Sequence, residues 1–352
     1  MKTKEIAKVV KKVFSIIIGT TAFGAVLSAA SPSPTNTSKP SELPDNSIHT
    51  PAELVQSMRS AFGSNASRAI HAKGIIREGD FIPDPHAKEL TKAPHFQGTG
   101  SKVTVRFSDF SGDPTIADNA RMANPRGIAI RFHLPGGSSS DLVAISFNGF
   151  PVSNTDDLRE LMLAIAASGP SAAAPTALDR FLDSHPSTKK FVADQKTPAS
   201  FATISYFGVG CLKFTNAKGE AHYVRYQLLP EAGEELLAPE QQAKVSHNYL
   251  MDEIRTRVAA APIAFELYAQ VADRGDKLDD PSVAWPDTRR RVPLGKLQIT
   301  KVTPNTIEED RGLIFAPNNV PDGIQIADPL LVFYAKAFRL SAKQLQDATV
   351  GK

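Results

Sequence analysis

Segments that alternate apolar and polar residues predict half-buried β-strands along the middle of the chain. The predicted strands cover residues 103–108, 128–134, 141–147, 202–208, 222–229 and 297–302. Apolar residues at helical spacing predict helices over 51–62, 155–167, 231–245, 248–259 and 262–272. Strands spread among helices, without a break in composition, predict a single α+β domain over 51–352 that contains an antiparallel sheet or barrel.

A last helix is predicted to begin sharply near residue 328. Asp328 is a good N-cap and Pro329 suits the first helical position. Its apolar face takes Leu330, Phe333, Tyr334, Ala337 and Phe338.

The N-terminus has the pattern of an export signal. Basic residues end at Lys12, an apolar run covers 13–30, and Ser28 and Ala30 suit a cleavage site. We therefore expect residues 1–30 to be a signal peptide, with an uncleaved anchor as the alternative. Residues 31–50, rich in Pro, Ser and Asn, are expected to be a disordered linker, and the mature protein to be periplasmic or secreted.

Composition narrows the function. The chain has 352 residues, of which 41% are hydrophobic and 22% charged, as in a globular protein. Its net charge of +3 comes from the first 30 residues, with five lysines and one glutamate, so the remainder gives no reason to expect a nucleic-acid partner. Cys211 is the only cysteine, which excludes an internal disulfide and a multi-cysteine metal site. Its apolar neighbours predict an inert thiol in a buried strand.

Among candidate chemical groups, His71 stands out. The eight histidines show no metal-ligand spacing, and the chain has no nucleotide-binding or serine-hydrolase motif. His71 lies in the segment RAIHAKG, where small residues flank it and suit a backbone pressed against something flat. Without further information, a packed structural histidine is the simpler interpretation.

Several motifs together resemble the haem catalases, and in particular the small exported catalase-related peroxidases. They are RAIHAKG at 68–74, VTVRFS at 103–108, NPRGIAIRF at 124–132, DLV at 141–143, and stretches around 207–226, 280–302 and 321–331. The resemblance spans roughly 50–345. It implies a catalase-like antiparallel β-barrel with surrounding helices around haem b, and no catalase C-terminal domain.

The resemblance also assigns roles to individual residues. His71 corresponds to the distal catalytic histidine, which moves a proton between the two oxygens of a peroxide. Ser108 corresponds to the serine that orients it, and Ile70 to an aliphatic residue over the porphyrin. Arg68 and Arg106 correspond to arginines that pair with the haem propionates.

Two departures from the family pattern are visible. The distal asparagine expected after the DLV strand is missing from Ala144–Ser146, which favours peroxidase over catalase chemistry. The family's proximal tyrosine, ten residues after the aspartate that starts the last helix, is Phe338 here, and its arginine is Tyr334. Three interpretations stay open. Tyr334 ligates the iron because the helix is shifted by about one turn, haem binds without a protein ligand on that side, or haem is lost.

Two classes of function stay open. One is a haem-dependent peroxidase that reduces hydrogen peroxide or organic hydroperoxides with a small organic reductant; a hydroperoxide-rearranging haem enzyme is a variant of it. The other is a haem-binding or haem-free protein without enzymatic activity, which the Phe338 position favours. No stable membrane association is expected after signal cleavage.

Overall fold

The computed structural model describes residues 47–64, 66–303, 310 and 312–350. The expected signal peptide and most of the expected linker lie outside these residues. Within the described ranges, no helix is long and apolar enough to cross a membrane.

Eight antiparallel strands form a barrel. They are β1 (Gly74–Pro83), β2 (Ser101–Ser108), β3 (Gly127–His133), β4 (Ser139–Ile145), β5 (Tyr206–Thr215), β6 (Ala221–Pro230), β7 (Ile263–Val271) and β8 (Arg291–Val302). Their order is β4-β3-β2-β1-β8-β7-β6-β5, and pairing of Ile145 with Phe207 closes the barrel between β4 and β5. A short strand, β9 (Ile324–Ile326), adds to β5.

Seven helices are described outside the barrel. They are α1 (Pro51–Phe62), α2 (Thr155–Ala166), α3 (Ala177–Ser184), α4 (Pro186–Ala193), α5 (Pro239–Gln242), α6 (Tyr249–Ala260) and α7 (Pro329–Val350). Helix α7 begins as predicted, because the Asp328 carboxylate accepts a hydrogen bond from the Leu330 backbone N–H at 3.0 Å.

The predicted α+β barrel is confirmed, but one predicted helix is wrong. Residues 262–272 form strand β7, in which Ile263, Phe265, Leu267 and Ala269 point into the core. Both edges of β7 pair with neighbouring strands, so tertiary pairing outweighs the helical spacing. The predicted helix over 231–245 shrinks to α5, while β1, α3 and α4 were not predicted.

Two apolar clusters define the interior. One fills the barrel and includes Phe107, Phe132 and Phe265. The other packs α1, α2, α3 and α7 against one side of the barrel, and includes Met58, Met162 and Phe333. The candidate site lies between these two clusters and is lined by residues of both. Cys211 is buried in β5, and burial raises the pKa of its thiol to about 12, as expected of an inert cysteine.

Candidate functional site

The chain before β1 holds His71 in an unusual backbone conformation. His71 has a φ of 54°, in the left-handed region that non-glycine residues rarely adopt. Two hydrogen bonds fix it there: the His71 N–H donates to Phe110 O at 2.8 Å, and the Ala72 N–H to Ser111 O at 2.9 Å. Strain maintained by the surrounding structure is common at functional sites.

The imidazole of His71 is oriented by contacts from two strands. Its Nδ1 lies 3.0 Å from Oγ of Ser108, the last residue of β2. Gly127 begins β3 beside the ring, and a Cβ there would lie 2.6 Å from Ser108 Oγ and 2.8 Å from His71 Cε1. The edge of Phe110 contacts the same ring, with centroids 5.6 Å apart. The site therefore requires a glycine at position 127.

The environment keeps His71 neutral. Burial, and then the positive charge of Arg106, lower the pKa of His71 to about 3. An imidazole with this pKa is unprotonated at neutral pH and is able to accept a proton.

Arg68 and Arg106 lie close to His71 and converge on one carboxylate. Both side chains contact Asp310, and the Arg106 guanidinium binds it through Nε and Nη2. Arg106 can lie across the start of β1 because residue 74 is glycine; a Cβ there would come within 2.5 Å of its guanidinium carbon. The structure therefore brings the two predicted arginines together, where they form a carboxylate-binding pair.

Two cavities meet at His71. The smaller is lined by Arg68, Ile70, Arg106 and Ser108 among others. The larger is mostly apolar. His71, Val143, Ala144 and Phe338 line both.

Helix α7 contributes Phe338 and Tyr334 to the cavity walls. Phe338 lines both cavities, whereas Tyr334 lines only the larger one. Their rings are 4.4 Å apart. Burial raises the pKa of the Tyr334 phenol well above its ordinary value. Ser341, one turn further on, accepts a hydrogen bond from the Ala69 N–H at 2.9 Å and so ties α7 to the segment before His71.

The wall that follows Val143 is apolar. Ala144 and Ile145 line the larger cavity, and Ser146 Oγ is used by the Arg126 backbone N–H at 2.8 Å. Among the described residues, neither cavity is lined by asparagine or glutamine. The amide side chain that the sequence lacks at positions 144–146 is therefore not supplied by another described residue of the cavity walls.

The donor set is suited to haem in most respects. The arginine pair matches propionates, and the apolar walls match the flat face of a macrocycle. Two phenols, Tyr226 and Tyr334, line the larger cavity, and in the described structure neither hydroxyl has a hydrogen-bond partner. Tyr226 packs with Phe96 and Phe214 of the barrel core, whereas Tyr334 adjoins Phe338. Tyr334 is therefore the better-placed oxygen donor.

A buried charge cluster behind His71 was not predicted. The Asp109 and Arg126 side chains are fully buried and paired, and Lys73 pairs with Asp118 beside them. Asp109 follows Ser108 and Arg126 precedes Gly127, so the cluster joins the chain segments that hold the imidazole. The sequence carried a weak signal of it, the arginine and aspartates near the strand ends. Asp310, far away in sequence, gave none.

Comparisons with known proteins identify related sequences and related folds. The sequence model of the catalase family, described as Catalase, matches residues 60–343. A catalase-related peroxidase of Mycolicibacterium paratuberculosis is 33% identical over 84% of this chain and 94% of its own length. One from Synechococcus elongatus is 30% identical over 83% of this chain and 87% of its own length.

Solved structures show the same fold. Catalase A from Saccharomyces cerevisiae has a TM-score of 0.68 at 20% identity, covering 79% of this chain and 60% of its own. A fungal catalase gives the same TM-score and identity over 79% of this chain and 58% of its own. The barrel, the matched residues 60–343 and these relatives lead to one conclusion: the chain belongs to the catalase family.

Proposed function

We propose that the protein binds haem b in the cavities that meet at His71 and reduces hydrogen peroxide or organic hydroperoxides with a small organic reductant. The observation that carries this proposal is the neutral imidazole of His71, held through Nδ1 by Ser108 and lining both cavities. Two relatives named catalase-related peroxidases support peroxide chemistry in this family.

Named residues would hold the cofactor. Arg68 and Arg106 would pair with its propionates, and Ile70, Val143 and Ala144 would contact the ring. Tyr334 is the residue we propose as the iron ligand, because its hydroxyl is unpartnered in the described structure and its ring adjoins that of Phe338. Bound haem would supply the electrons that cleave the peroxide O–O bond, and the organic reductant would replace them.

His71 would move the proton. With Nδ1 engaged by Ser108, Nε2 is the nitrogen that would take the proton of one peroxide oxygen and return it to the other. The second oxygen then leaves as water rather than as hydroxide. General acid–base catalysis of this kind contributes about 10²–10⁴-fold to a rate.

The apolar wall favours an organic reductant over a second peroxide. A second peroxide would need a polar group to position it beside His71, and Ala144 and Ile145 offer none. Peroxide reduction by an organic molecule needs no such group. We therefore propose peroxidase activity with little disproportionation of hydrogen peroxide.

Phe338 favours a second candidate function. Its side chain lines both cavities with His71 and cannot bond a metal. A haem-binding protein without turnover, or a haem-free member of the family, would be consistent with this wall. Burial keeps the Tyr334 phenol protonated when no metal is bound, which also weakens it as a donor.

Absorption spectra of the purified protein from haem-supplied cells, with three variants, separate the candidates. The peroxidase proposal expects a strong Soret band in the wild type, its loss or shift in Tyr334→Phe, and little change in the matched Tyr226→Phe. It also expects peroxide-dependent oxidation of a dye. A wild type without a Soret band, beside a Phe338→Tyr variant that gains one, would favour the haem-free candidate.

We also propose that the protein is exported and acts in the periplasm or outside the cell. The basic and apolar pattern of residues 1–30 supports this. Cell fractionation and N-terminal sequencing test it, and a full-length cytoplasmic protein would contradict it.

A further inference from the structure

The arginine pair beside His71 already holds a carboxylate that belongs to the chain itself. Arg106 donates to Asp310 through Nε, and its Nη2 lies 3.0 Å from Oδ2. Arg68 Nη2 lies 3.3 Å from Oδ1 of the same carboxylate and 2.6 Å from Leu313 O. This is the forked geometry in which guanidinium groups recognise carboxylates.

Electrostatics explain why a carboxylate is needed there. Burial, and then the neighbouring positive charge of Arg106, lower the pKa of Arg68 to about 10. For Asp310, burial opposes ionisation, but Arg106 and then Arg68 hold the pKa of its carboxyl below the ordinary value. Two buried cations side by side are therefore offset by one internal anion.

A ligand carboxylate that binds the Nε–Nη2 edge of Arg106 would need the donors that Asp310 uses. The Nε–Nη2 edge of Arg106 is used by Asp310, and the Nη2 of Arg68 is used by Asp310 and Leu313. The Nε of Arg68 is the buried donor of this pair without a partner in the described structure. It can take one further acceptor, but a forked contact with the Nε–Nη2 edge of Arg106 requires Asp310 to leave.

We infer that Asp310 is an internal competitor for the carboxylate-binding pair, and that it sets how tightly the cavity binds a carboxylate-bearing ligand. Removing its charge should strengthen binding of such ligands and weaken the ligand-free fold, since both arginines then lose their charged partner. The inference rests on the proposed function only in that a carboxylate-bearing macrocycle enters the cavity. It does not depend on what ligates iron.

Binding of metal-free protoporphyrin IX to the full mature chain tests this inference without iron or turnover. Asp310→Asn should bind the free acid about tenfold more tightly than the wild type. The dimethyl ester, which has no carboxylates, should bind both proteins alike. The matched control is Asp276→Asn, which breaks a forked pair with Arg289 at 2.8 and 2.9 Å outside both cavities and should leave both affinities unchanged.

Equal or weaker binding of the free acid by Asp310→Asn would overturn the inference and make Asp310 a residue that orients the arginines. This result would leave the proposed peroxidase standing. Conversely, tighter binding by Asp310→Asn together with a haem-loaded wild type that does not turn over peroxide would uphold the inference and reject the peroxidase. Free acid that binds neither folded protein would reject both.

A second measurement covers the case in which Asp310→Asn does not fold. In wild-type protein labelled with [¹³C]aspartate, the Asp310 carboxyl signal is assigned by its loss in Asp310→Glu. Adding the free acid should move this signal toward that of a solvated carboxylate, whereas the ester should not. A signal that the free acid leaves in place would overturn the inference.

Discussion

Nδ1 of His71 and Oγ of Ser108 lie 3.0 Å apart, although 37 residues separate them in the chain. The contact fixes the imidazole ring against the end of β2, and Gly127 on β3 leaves just enough room for it. The candidate site is thus built from strand ends and from the strained segment before β1. Each residue in these contacts can therefore be tested by substitution.

Replacement of His71 should remove peroxide turnover without removing the cofactor. In His71→Gln, we expect peroxide-dependent dye oxidation to fall by about 10²–10⁴-fold, because the proton-transfer group is lost. The haem content per chain should stay near that of the wild type. His95→Gln is the matched control, since His95 is buried against the barrel core but lines neither cavity. Unchanged turnover in His71→Gln would contradict the role proposed for this residue.

A methyl group at Gly127 should displace the imidazole. The added Cβ of Gly127→Ala would lie 2.6 Å from Ser108 Oγ and 2.8 Å from His71 Nδ1, so the side chains or β3 must move. We expect turnover to drop by about tenfold or more, since a small misplacement of a catalytic group is costly. Gly169→Ala, where nothing lies within 4 Å of the new Cβ, should have full activity. Initial rates at saturating dye compare the two variants.

Loss of Arg126 should strongly destabilise the fold. Its side chain and that of Asp109 are fully buried, and Arg126→Met leaves the Asp109 carboxylate without this partner. Breaking a buried pair on one side costs about 3–5 kcal/mol of unfolding free energy. Lys189→Met, which breaks an exposed pair with Asp183, should cost at most about 1 kcal/mol. Urea denaturation measures the unfolding free energy of the wild type, Arg126→Met, Lys189→Met and the double variant Asp109→Asn/Arg126→Met. The double variant shows whether neutralising both partners restores stability.

The buried N-cap of α7 should make stability depend on pH. Burial raises the pKa of Asp328 to about 7, and its Oδ2 has no partner among the described residues. The pKa of the Asp328 carboxyl is therefore higher in the folded protein than in the unfolded chain. Its stabilising contribution to the unfolding free energy is complete below about pH 4 and is lost as the pH rises to about 7. Asp328→Asn keeps a capping oxygen for Leu330 and removes the charge.

We therefore expect Asp328→Asn to be more stable than the wild type at pH 8, and the difference to shrink toward pH 4. Unfolding free energies measured at several pH values in this window check it. Burial lowers the pKa of His95 to about 3, so this residue acts with the opposite sign, losing stability as the pH falls from 6.5 toward 3. The comparison must therefore be made between variant and wild type at each pH. An Asp328→Asn variant that is less stable at pH 8 would contradict the prediction.

Local patterns were sufficient for much of the fold. The alternation in β2, β3 and β4, the spacing in α1 and α2, and the Asp328–Pro329 start of α7 all appear in the structure as predicted. Periodicity failed for β7, where Ile263–Val271 also has helical spacing and only pairing with β6 and β8 settles the conformation. It also gave no indication of β1, whose ten residues alternate weakly in burial.

The sequence by itself determined which residues meet around His71, because Arg68, Arg106 and Ser108 lie with it in motifs whose order resembles a known family. It also determined that position 338 holds a phenylalanine. Only the tertiary structure decided what surrounds them: Asp310 on the arginine pair, Asp109 and Arg126 behind the imidazole, and Phe338 on the wall of both cavities. These contacts join residues that are far apart in sequence. The reason is physical, since packing and charge pairing in the interior depend on how distant elements fit together, which no local periodicity records.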